Sequence, residues 1–103
     1  MRQFRVAAQA DTHFNAALDH YLESAGVDVA LRFVEAWDHL AALLKEQPFA
    51  GSKRVEVTFG IEGLRSIPLA RFPYIAFYTV TDDMLRIIAL IHSSRDLANN
   101  LRP

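Results

Sequence analysis

The sequence predicts an α+β domain of order β-α-α-β-β-β, an antiparallel helix hairpin packed on one face of a small, mainly antiparallel sheet. Three observations carry this reading. Apolar residues recur at helical spacing in two successive segments, a short two-residue alternation precedes them, and the last third of the chain holds aromatic and β-branched runs separated by turn residues. At 103 residues and 51% hydrophobic, the chain is expected to form a single domain, residues 1–103, with enough apolar material for a core.

The first strand is read from Phe4, Val6 and Ala8, which alternate within "FRVAA". From Asp11, a residue type that caps helices, Phe14, Ala17, Leu18, Tyr21, Leu22 and Ala25 trace one helical face until Gly26. A second start at Asp28 opens a stripe of Ala30, Phe33, Val34, Trp37, Leu40, Ala41 and Leu44, which Pro48 and Gly51 end. So short a connection folds the two helices back on each other. Trp37 and Tyr21 are expected in the core, and Leu31 and Leu43 lie outside the stripe.

"KRVEVTFG" alternates at Val55, Val57 and Phe59, which fits a strand, an ordered loop or a mobile segment. "LRSIPLA" reads as a strand, and Pro68, which cannot donate to a ladder, puts it at an edge or at a strand end. "PYIAFYTV", a "TDDM" turn and "LRIIALIH" form a hairpin of near-continuous apolar character. These two are expected to be central strands, with the helix hairpin as their cover.

Composition narrows the function. Eleven basic residues face twelve acidic ones, so a binder relying on many phosphate contacts is disfavoured. The basic groups are nevertheless uneven, four of them in residues 1–47 and seven in residues 48–103. The absence of cysteine excludes disulfides and zinc-thiolate sites and suits a reducing compartment. No run approaches a membrane span, and the N-terminus reaches an acidic residue too early for a signal peptide, so a cytoplasmic protein is expected. His13 and His20 are seven apart on one helix, about 10 Å along its axis, and no metal is expected. Gly51, Gly60 and Gly63 fit no phosphate-cradling pattern, and no cofactor is expected.

Taken in order, the chain resembles the ParE branch of the RelE/ParE toxins of bacterial toxin-antitoxin pairs. The resemblance rests on the hairpin ending at Pro48 to Gly51, the Leu64-Arg65 pair, the aromatic strand ending near Tyr78, the Asp82-Asp83 turn, and the closing His92, Arg95 and Asp96. It implies a toxin that inhibits DNA gyrase and is held inactive, in a hetero-oligomer, by a cognate antitoxin. On that reading no residue is catalytic, and Arg65, Arg71, Tyr78, His92, Arg95 and Asp96 face a partner.

RelE-like members of the same fold cleave mRNA on the ribosome, which is the alternative. Cleavage needs a proton acceptor, a proton donor and cations for the phosphate, roles open to His92, Tyr78, Arg65, Arg71 and Arg95. The near-neutral charge counts against it. His92 at a strand end also suits a plain hydrogen bond to a neighbouring group, and Arg95 with Asp96 a local ion pair.

Overall fold

A computed structural model describes residues 2–94. The elements are β1 (Gln3–Val6), α1 (Ala8–Ser24), α2 (Val27–Glu46), α3 (Arg54–Phe59), β2 (Leu64–Pro68), β3 (Tyr74–Val80) and β4 (Met84–His92). The sheet order is β1-β4-β3-β2, with β1 parallel to β4 and the other pairs antiparallel. The expected α+β architecture is therefore present, the apolar hairpin β3–β4 is central, and Pro68 ends an edge strand.

Both helices begin earlier than the acidic residues suggested. α1 starts at Ala8 and α2 at Val27, so Asp11 and Asp28 sit within the first turns, where a carboxylate still favours the helix dipole. Burial explains the early start, because Ala10 is fully enclosed and belongs to the face that packs on the sheet. Gly26 closes the turn between the helices with φ 91°, a left-handed conformation that glycine adopts without a Cβ penalty.

On the helix side, Ala17, Phe33, Leu40 and Leu44 meet Tyr74, Ala76, Tyr78, Leu85, Ile87 and Leu90. Aromatic rings fill the centre. Phe33 lies 5.3 Å from Phe14, 5.7 Å from Tyr74 and 5.3 Å from Phe72, while Tyr21 sits 5.2 Å from both Phe33 and Phe72. Trp37 and Tyr21 are half-buried and pack against this core.

The opposite sheet face has its own cover. The "RVEVTF" segment is the helix α3, not a strand, and Val55 and Phe59 pack with Leu64, Phe77, Ala89 and Ile91. The expectation that the hairpin alone covers the sheet is corrected accordingly. α3 ends on Gly60 in the left-handed region, and the Gly63 N–H donates to the Glu56 carboxylate at 2.6 Å, which closes the following loop.

β1 ends opposite Ile87, short of the end of β4. α1 takes over that edge. The Ala7 N–H donates to the Ile87 carbonyl at 2.9 Å, Gln9 Nε2 to the Ile88 carbonyl at 3.4 Å, and the Leu90 N–H to His13 Nδ1 at 3.2 Å. A helix laid along a strand edge thus satisfies backbone groups that a longer β1 would have paired.

Candidate functional site

Sheet register separates the candidate residues. Arg65 is paired with Tyr78, and Tyr78 with Ile87, whereas His92 is paired with Tyr74. The two rows are four residues apart along β3, about 13 Å at strand rise. Arg65 and His92 therefore occupy opposite ends of the sheet.

At the Arg65 end, the side chains are tied to the loop after α2. Tyr78 is fully buried; its O–H donates to the Pro48 carbonyl at 2.9 Å and accepts from the Gly51 N–H at 2.8 Å. Burial raises its pKa, against smaller opposing effects of the Gly51 hydrogen bond and the Arg65 charge. Arg65 Nη1 donates to the Gly51 carbonyl at 2.8 Å and the Phe49 carbonyl at 3.2 Å. The loop is held a third time by reciprocal backbone bonds between Ser52 and Ser66. Tyr78 thus lies beneath the surface and reaches a partner only through the loop and the arginine that it positions.

Phe49, carried by that loop, remains 58% exposed. Arg65 stands over its ring at 4.9 Å and Arg2 at 5.7 Å, Arg2 being fixed by a bond from Nε to the Thr81 carbonyl at 2.9 Å. Beside it a cavity of about 380 Å³ is lined by Arg2, Gln3, Phe4, Leu44, Lys45 and Leu85, and Lys45 lies 5.0 Å from the Phe4 ring. The sequence reading found Arg65 but missed Arg2, Lys45 and Phe49. A phenylalanine between Pro48 and Gly51, past the end of the helical stripe, was the available signal.

At the other end, His92 closes β4. The Ser94 N–H donates to its Nδ1 at 3.1 Å, the Ser94 hydroxyl lies 2.7 Å from the same nitrogen, and the Tyr74 ring meets it edge-on at 5.2 Å. His92, His13, His20, Tyr74 and Ser94 line a second cavity, also about 380 Å³. Burial lowers the pKa of His13, consistent with a neutral ring that accepts from Leu90. His13 accepts at Nδ1, so its neutral ring carries the proton on Nε2, and His92 likewise turns Nδ1 toward a backbone donor. Among the described residues, no group of three or more His, Asp or Glu side chains could hold a metal ion.

Arg71 lies in the β2–β3 turn at the His92 end, exposed, with φ 69°. A non-glycine residue in this region carries backbone strain, offset here because the turn packs Phe72 against both Tyr21 and Phe33. Arg95 and Asp96 lie outside the described residues. The described candidates thus form two separate groups, Arg65 with Tyr78 and Arg71 with His92.

Fold and geometry define a small α+β protein, a helix hairpin on a mainly antiparallel sheet, whose described candidate groups are divided between two ends. The family model of the ParE toxin of type II toxin-antitoxin systems, parDE, matches residues 4–97, and the chain belongs to that family. The family is not known as one of enzymes, and membership implies a cognate antitoxin. Among solved structures, the chain is similar to one described as the chromosomal ParDE TA system from P. aeruginosa. The match has a TM-score of 0.71 and 23% identity over 89% of this chain and 96% of that one, a likeness of fold. A search of curated proteins returned no match. Among the described residues, no helix is long and apolar enough to cross a membrane.

Proposed function

We propose that this chain acts as a gyrase-inhibiting toxin, neutralised by its cognate antitoxin and working by docking, not by catalysis. The observation that carries the reading is the division of the polar candidates. Proton transfer requires acid and base within hydrogen-bond reach of one bound phosphate. His92 stands at the Tyr74 row, Arg65 at the Tyr78 row, and Tyr78 is enclosed with its hydroxyl engaged on both sides. This arrangement supports recognition surfaces over a cleavage centre. The side chains proposed to face partners are Arg65 and Arg71, with His92 at the strand end and Tyr78 as a positioning residue.

The test is DNA supercoiling by purified gyrase with the antitoxin-free protein. The expected outcome is loss of supercoiling, accumulation of cleaved DNA complexes and reversal by antitoxin. Arg65→Ala should weaken inhibition gradually as dose–response curves shift. Folded protein that leaves gyrase untouched and cuts mRNA on ribosomes, with His92→Ala abolishing the cuts, would overturn the proposal in favour of the nuclease.

A further inference from the structure

The sheet end that carries Arg65 holds three cations set around apolar surface. Arg2 and Arg65 flank the exposed Phe49 ring, and Lys45 lies over Phe4. Among the described residues, none of the three is paired with a carboxylate, and carbonyl oxygens and aromatic faces hold them instead. Ordinary surface lysines and arginines surrender rotamer freedom when they bind. These are already restrained, so the rim is prearranged for anions. Between Arg2 and Lys45 the cavity is floored by Leu44 and Leu85, which are buried, and walled by Phe4, with Arg65 beyond Arg2 on the far side of the Phe49 ring.

From this juxtaposition we infer that the recess between β1 and the C-terminal turn of α2 receives an acidic segment of the protein partner. An aliphatic side chain enters the Phe4–Leu44–Leu85 recess, and flanking carboxylates meet Arg2, Lys45 and Arg65. The apolar floor discriminates between possible occupants. A nucleic-acid strand offers phosphates for the rim but no aliphatic group for the floor, and a chain of net charge −1 lacks the broad basic field that phosphate binding exploits. A peptide combining leucine or isoleucine with glutamate or aspartate satisfies both parts. The identity of the partner as antitoxin rests on the proposed function, while its chemistry rests on the recess alone.

Two measurements separate these layers. The first is the affinity of the full-length protein for its antitoxin, compared with Lys45→Glu and Arg2→Glu, whose folding is checked by thermal melts. Each reversal should weaken binding by about tenfold or more and flatten its salt dependence, as expected for charges at an interface rim. Folded variants that bind antitoxin as tightly as the parent would overturn the recess and leave the toxin-antitoxin reading intact. The second uses a fluorescent synthetic peptide of leucines flanked by glutamates, with a glutamine-for-glutamate peptide and a single-stranded oligonucleotide as competitors. Binding that needs both the glutamates and Lys45 supports the recess even if no antitoxin binds, a result that would instead remove the toxin reading. Direct binding of the same oligonucleotide, labelled, where the labelled peptide does not bind would overturn the inference in favour of a phosphate surface.

Discussion

Gly51 has no room for a side chain. A Cβ there would stand 2.6 Å from Tyr78 Oη, 2.7 Å from Tyr78 Cε1 and 2.9 Å from the Ser66 carbonyl oxygen. The last of these belongs to backbone already bonded to Ser52, so it cannot yield as a flexible side chain would. Gly51→Ala is therefore expected to destabilise the protein by about 1–3 kcal/mol through overpacking. Tyr78→Phe keeps the ring but leaves the Gly51 N–H and the Pro48 carbonyl without their partner, for a loss of about 1–3 kcal/mol. Because both substitutions act on one contact, the double variant should lose less than the sum of the two. Urea unfolding of all four proteins measures this, and strict additivity would show that the loop is not held through this hydroxyl. The prediction also fixes how Tyr78 bears on function, since its loss should weaken partner binding by loosening the loop beneath Arg65 and Phe49.

At the scale of elements, the joint between α1 and β4 is sensitive to acid. His13 Nδ1 accepts the Leu90 N–H, and burial holds the His13 pKa below its ordinary value of 6.5. The folded chain thus takes up this proton less readily than the unfolded chain. Stability from this group is complete above about pH 6.5 and declines as pH falls from there through the folded pKa, the unfolded state binding more protons in that window. His13→Asn places an uncharged acceptor in a similar position. Denaturation at pH 7.5 and pH 5 should show a smaller acid loss in the variant than in the parent, and equal losses would mean that His13 does not couple the helix to the strand. The same joint shows what a sequence hides. Helix periodicity exposed the apolar stripes of α1 and α2, but His13 and Gln9 lie beside the stripe, and their partners are backbone groups of a strand nearly eighty residues away. α3 was ambiguous for a different reason. Val55 and Phe59 are both two strand periods and one helical turn apart, and only Val57, 86% exposed between them, distinguishes the helix. Arg65, by contrast, was legible as a motif, whereas the cations it joins come from the first residues and the end of α2.

Across the whole molecule, stability should be graded from the centre of the sheet outward. β3 and β4 are paired along both edges or covered by α1, and their side chains are buried on both faces, Tyr78, Ile87 and Leu90 toward the hairpin and Phe77, Ala89 and Ile91 toward α3. α3 has no buried residue of its own. Its six residues are too few to sustain a helix alone, so it persists only by resting on the sheet. Amides of β3 and β4 are accordingly expected to exchange only through global unfolding, while those of α3 exchange through local opening, at least about 100-fold faster. This gradient bears on function, because the rim around Phe49 and Lys45 is anchored to the protected centre through Tyr78 and Leu85, whereas the α3 face is not. Hydrogen exchange followed by NMR tests the order directly. Adding antitoxin should slow exchange in the 48–52 loop and β1 beyond what global stabilisation gives, leaving α3 less affected. Protection concentrated on α3 instead would place the partner on the opposite sheet face and remove the recess from the interface.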